Sequence, residues 1–179
     1  MQFRFIAGWK PAPTYRLNAK IESVVFPVDS LRIFSAVNHS DLTGAALRRY
    51  AMEQLDTLDS YNWSGIYRLE GETLILDEFV GAATDHTRIA VGVGVCGTAV
   101  AEGQNQVISD VRELSNYLAC SAETRAELVV LIYKDGIVRS DSEIIGQIDI
   151  DGHTVGAFDV TDEYLLTGLA KILAERWND

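Results

Sequence analysis

The spacing of the apolar residues changes at Trp63, and the change limits which folds the chain can adopt. Before it, Leu47, Ala51, Leu55 and Leu58 recur at helical spacing with Arg48, Arg49, Glu53 and Asp56 between them, and Ser40 and Asp41 precede them as cap residues. After it, Trp63, Gly65, Tyr67 and Leu69 fall on one face of an extended segment and Ser64, Ile66 and Arg68 on the other. Glu70-Gly71-Glu72 supplies a turn, and Thr73 to Val80 returns as a second strand. Antiparallel pairing therefore starts at this hairpin.

The rest of the chain continues in short pieces. Thr87 to Val91 is extended, Val95 to Ala101 is a short helix closed by Glu102-Gly103-Gln104-Asn105, and Gln106 to Ser109 is a strand. Leu128 to Tyr133 and Glu143 to Ile150 are strands as well. Thr161 caps a last helix with Asp162 and Glu163 in its first turn and Leu165, Leu169, Ile172 and Leu173 as its buried stripe. This is an α+β layout. Residues 1–40 hold all three prolines and two candidate strands, Ile21 to Phe26 and Leu31 to Val37. They are read as an N-terminal extension of undetermined role, with residues 41–179 as the domain.

With 47% hydrophobic residues in 179, the chain can bury a core. A net charge of −11 gives no basic footprint for phosphate backbones or anionic lipid, so neither a nucleic acid nor a membrane is an expected partner. No apolar run reaches the roughly 20 residues of a membrane span. The first apolar patch is cut by Lys10 and Pro11, which does not suit a signal peptide, and a cytoplasmic location is the expectation.

Chemistry points to the stretch from His86 to Glu127, which carries both of the chain's two cysteines. Cys96 lies in Gly92-Val93-Gly94-Val95-Cys96-Gly97-Thr98, a tight loop entering a helix. There the positive end of the backbone dipole favours thiolate, and the setting does not suggest a buried structural cysteine. Cys120, in Leu118-Ala119-Cys120-Ser121, stands in a loop ahead of a strand. A small buried hydrophobe is the competing reading of any lone cysteine. With His86 these residues offer a zinc ion neither a fourth ligand nor a recognisable spacing, so no metal is expected.

Several patterns at consistent spacing resemble a GAF domain of the free methionine-R-sulfoxide reductase family. They are Asn62-Trp63-Ser64-Gly65-Ile66-Tyr67, Arg88-Ile89, Gly94-Val95-Cys96-Gly97-Thr98-Ala99, Gln106-Val107-Ile108-Ser109-Asp110-Val111, Leu118-Ala119-Cys120, Ala126-Glu127-Leu128 and Ile145-Gly146-Gln147-Ile148-Asp149-Ile150-Asp151. The resemblance implies an antiparallel sheet of about six strands flanked by helices, a small pocket, and reduction of the R epimer of free methionine sulfoxide. It implies Cys120 as the attacking cysteine and Cys96 as the resolving one, reduced in turn by a thioredoxin-type protein with no bound cofactor. A homodimer is left open. The chain departs from the family at His86, where its usual resolving cysteine would stand, and at Leu114-Ser115-Asn116-Tyr117.

Thiol reduction of a sulfoxide needs a thiolate to attack sulfur and an acid to protonate the oxygen. Glu127, Asp149 and Asp151 are the carboxyls implied. Asp149 and Asp151 share a strand face, and like charges that close raise a pKa. The pair could also hold the substrate ammonium. Trp63 and Tyr67 are candidates to wall the methyl group, and Asp110 and His86 to line the pocket. A sensor module without turnover is the alternative reading.

Overall fold

The computed structural model describes residues 25–114, 121–136 and 142–178. Its helices are α1 Val28–Asn38, α2 Gly44–Leu55, α3 Gly94–Glu102 and α4 Val160–Glu175. Its strands are β1 Trp63–Glu70, β2 Thr73–Val80, β3 Arg88–Ala90, β4 Gln106–Ile108, β5 Ala126–Tyr133 and β6 Ile144–Gly152. All six strands pair antiparallel in one sheet, ordered β3-β2-β1-β6-β5-β4. The hairpin read from the sequence is β1–β2, with Glu70 opposite Thr73.

The two faces of the sheet are covered unequally. On one, Ile66, Leu128, Val130, Ile132, Ile148 and Ile150 meet α1, α2 and α4 through Ile33, Val37, Leu47, Leu55, Leu166 and Leu169. Each such side chain, fully buried, contributes about 1.5–3 kcal/mol. On the other face, among the described residues, only α3 lies over the middle of the sheet, joining Val95, Cys96 and Ala99 to Trp63, Tyr67, Val129 and Leu131. Because β5 and most of β6 are buried on both sides, any polar residue on the α3 face of those strands is out of water.

Several expectations are corrected here. Leu31 to Val37 is part of α1, not a strand: Ser30, Ile33 and Val37 follow the helical period and turn inward, while Leu31 is exposed. Phe34 packs where a side chain at Gly168 of α4 would meet it at 2.8 Å, so α1 shares the main core. Of Ile21 to Phe26 only Val25 and Phe26 are described, and neither lies in a strand. Ser40 and Asp41 do not cap α2. Thr43 holds the cap position, and the Ser40 hydroxyl donates to the Val37 carbonyl at the end of α1. For α4 the cap is Asp159, whose carboxylate accepts from Thr161 N, while Asp162 accepts from Asp159 N to complete a capping box. Arg48 is buried rather than solvated: it pairs with Asp77 of β2, donates to the Trp177 carbonyl and lies over the Trp177 ring.

The helix that carries Cys96 is seated by a close backbone approach. A β-carbon on Gly97 would lie 2.4 Å from Ala90 O and 3.0 Å from Gly92 N, and neither backbone atom can turn aside. Alanine in place of a helical glycine normally stabilises by about 1 kcal/mol. Gly97→Ala is expected to do the opposite and cost about 1–3 kcal/mol through overpacking. Urea unfolding checks this, and a variant more stable than wild type would show that α3 is not held by this contact.

Candidate active site

The register of β1, β6 and β5 assembles the α3 face in rows. Trp63 stands opposite Asp151, and Asp151 opposite Glu127. Gly65 stands opposite Asp149, and Asp149 opposite Val129. Tyr67 stands opposite Gln147, and Gln147 opposite Leu131. Residues opposite one another in antiparallel strands share a face, so the three carboxyls converge in the middle of the sheet. From above, the third residue of α3 reaches the same spot. Cys96 Sγ is 3.9 Å from Glu127 Oε1, and the sulfur and one oxygen each of Glu127 and Asp149 all lie within 4.8 Å of one another.

This cluster is dry. Glu127 and Asp151 are 2% exposed and Asp149 is not exposed at all, which removes the reading of the two aspartates as solvated strand-end residues. Glu127 Oε2, both oxygens of Asp149 and Oδ1 of Asp151 have no hydrogen-bond partner. Loss of hydration is the first cause that raises all three pKa values. It lifts Asp149 to about 7, against the opposing influence of the nearby Cys96 thiol. Glu127 is held well above its ordinary value by burial and then by the charges of Asp149 and Asp151, and Asp151 by burial and then by Asp149. The site therefore stores protons near neutral pH. Cys96 is itself 3% exposed, contrary to the unburied setting expected of it; helix α3 packs it onto the sheet.

Trp63 and Tyr67 form an aromatic wall beside the acids. The Trp63 ring stacks on Phe79 at 5.9 Å and lies 6.4 Å from Tyr67. It also crosses Gly65, where a β-carbon would come within 2.2 Å of it, so the glycine makes room for the ring. Trp63 Nε1 donates to Ala82 O at 3.0 Å and the Tyr67 hydroxyl donates to His86 O at 2.9 Å. His86 thus meets the wall through its backbone. Asp110 lies past the end of β4, where it caps the 3-10 turn Val111–Glu113. Its carboxylate takes two bonds from the Arg112 guanidinium, at 2.8 and 2.6 Å, which hold it down at about 2. Cys120 lies outside the described residues.

Among the described residues, Cys96, Glu127 and Asp149 are the side chains that could contact a metal ion. At up to 4.8 Å apart they would have to draw together to reach the roughly 2.0–2.3 Å bonds of a zinc site. The residue that sequence reasoning passed over is Gln147. It is fully buried on the acid face, and neither its amide nitrogen nor its oxygen has a partner. Its signal was available: it continues the alternation of Asp149 and Asp151 one step along the strand.

No family model matches the chain. Over 124 residues it is 41% identical to the free methionine-R-sulfoxide reductase of Escherichia coli K12, covering 66% of this chain and 70% of that one. The crystal structure of the free methionine-R-sulfoxide reductase of Neisseria meningitidis in complex with its substrate superposes with a TM-score of 0.71 at 33% identity, covering 83% of this chain and 85% of that one. A candidate GAF sensor protein from Burkholderia vietnamiensis superposes at 0.70 with 29% identity, over 83% and 90% of the two chains.

Proposed function

Because the chain belongs to the free methionine-R-sulfoxide reductase family, a family of oxidoreductases on the GAF fold, we propose that it reduces free L-methionine-(R)-sulfoxide to methionine. The observation that carries the reading is the group of three buried carboxyls with raised proton affinity, four of their oxygens without a hydrogen-bond partner, beside Cys96 and an aromatic wall. The substrate methyl packs against Trp63 and Tyr67, and its ammonium is held by the carboxylate charge of the cluster. The Cys120 thiolate attacks the sulfoxide sulfur while a protonated carboxyl delivers a proton to the oxygen. Oxygen passes to Cys120 as sulfenic acid and methionine leaves. Attack by the Cys96 thiol then forms a disulfide and releases water, and a thioredoxin-type dithiol restores both thiols by exchange. The net change is one oxygen removed as water for two electrons and two protons, and no bound cofactor takes part.

The test is to supply the R and S epimers separately with thioredoxin, thioredoxin reductase and NADPH and to measure the methionine formed. Turnover of R alone is expected. Turnover of neither epimer overturns the reading in favour of a ligand or redox sensor. That second reading draws on His86, which stands where the family resemblance places a resolving cysteine.

The absence of a cysteine there puts recycling on Cys96. Cys96→Ala is expected to complete one stoichiometric turnover and then stop with thioredoxin, whereas dithiothreitol restores cycling by attacking the sulfenic acid directly. Cys96→Ser keeps a hydrogen-bond donor toward Glu127 and Asp149 and is expected to behave the same way, which separates resolution from any effect on the acids. If thioredoxin sustains either variant at the wild-type rate, Cys96 is not the resolving residue.

A further inference from the structure

Gln147 is the amide on the α3 face, and both of its hydrogen-bonding atoms are unused, as are the two oxygens of Asp149 beside it. Trp63 Nε1, which stands on the same face, is committed to Ala82 O, and the amides of Asn105 and Gln106 on and beside β4 donate to Glu163 and Glu102. Asn105 also accepts from Leu131 N through its oxygen. Gln147 has neither amide atom engaged, is fully buried, and stands between Tyr67 on one neighbouring strand and Leu131 on the other, in the layer that holds Cys96. A buried amide without a partner is costly, and a leucine or methionine there would fill the layer without that cost. Its presence calls for a ligand group with an acceptor atom.

We propose that Gln147 is a positioning and specificity residue whose amide N–H donates to the oxygen of the substrate sulfoxide. The inference rests on the reductase reading above and adds to it the group that tells the sulfoxide from its product and one epimer from the other. Alternate residues of a strand lie about 6.5 Å apart, so an oxygen seated between the Gln147 and Asp149 side chains touches both. The amide then fixes the oxygen where the adjacent carboxyl protonates it. Sulfur in the substrate carries a methyl, an oxygen and the side-chain methylene. With the methyl against Trp63 and Tyr67, the oxygen on Gln147 and the ammonium on the carboxylates, three of its directions are assigned. The opposite epimer can satisfy only two of them. Methionine, which has no oxygen, leaves the amide unpaired again and is released.

Binding to the Cys120→Ser protein, which isolates recognition from turnover, tests this by calorimetry with methionine-R-sulfoxide, its S epimer and methionine. Gln147→Met and Gln147→Leu are compared with Gln147 in that background. Both are expected to lose the preference for R-sulfoxide over methionine by about tenfold or more, and the preference for R over S with it, while melting no lower than the parent. Unchanged ratios in both variants overturn the proposal, as does a large drop in melting temperature in both, which would mean that the amide is satisfied within the fold. If the protein with both cysteines turns over R-sulfoxide but the ratios do not move, only the Gln147 role fails. If it binds the sulfoxide without turning it over, the reductase reading fails and the ratios still decide Gln147. Absence of sulfoxide binding overturns both.

Discussion

Cys120→Ser is expected to abolish reduction of free methionine-R-sulfoxide, with a fall of at least about a thousandfold, because the reaction then has no nucleophile. A serine hydroxyl is scarcely ionised at neutral pH and is a poor nucleophile toward sulfur, and the oxygen it would have to accept would form a peroxy link rather than a sulfenic acid. The loss should appear in the first turnover as well as in cycling, which distinguishes it from the effect of Cys96→Ala. Rapid-quench measurement of methionine formed per enzyme, with thermal melting and substrate binding as controls for folding, gives the answer. Retained first turnover would carry a definite consequence. The chain has two cysteines, so Cys96, already 3.9 Å from Glu127, would have to be the attacking residue.

The hairpin, the glycine-rich entry to α3 and the antiparallel sheet were legible because each depends on local signals: a period of two, a turn at Gly71, and glycines before and after Cys96. Helix α1 was misread because Leu31, Ile33 and Val37 satisfy an alternating period, while Ile33 and Val37 also satisfy a helical one with Ser30; packing on α4 chose between them. The convergence of the acids was legible in the sequence but their dryness was not. Gln147, Asp149 and Asp151 alternate with Ile148 and Ile150, the pattern of a strand with one face in water. Only the placement of β6 at the middle of the sheet, with α3 above it, turns that polar row into a buried one. The same placement explains why Gln147 went unremarked: as a surface residue it would need no account, and as a buried one it does.

Changing Asp149 and Asp151 together to asparagine is expected to lower kcat/KM for methionine-R-sulfoxide by about 10²–10⁴ while making the folded protein more stable near neutral pH. The loss of rate follows from removal of two proton-holding groups and of the negative charge that faces the substrate ammonium, with Glu127 left alone. The gain in stability follows from the sign of the linkage. Asp149 titrates near 3.8 when solvated and at about 7 in the fold. Between those values the unfolded chain has lost the proton that the folded chain still binds, so wild-type stability falls as pH rises from about 4 to about 7, and this group adds no further loss above that. Asp151, raised in the same direction by burial and by Asp149, deepens the fall. Urea unfolding across that range should show a decline in wild type that is much flatter in the double variant. Activity should follow the same proton: wild-type kcat/KM decreases as pH rises through about 7 and the acid is lost, and the variant lacks that limb. Equal efficiency and equal pH dependence in the two proteins would remove these carboxyls from the chemistry and leave Glu127 as the sole candidate acid beside Cys96.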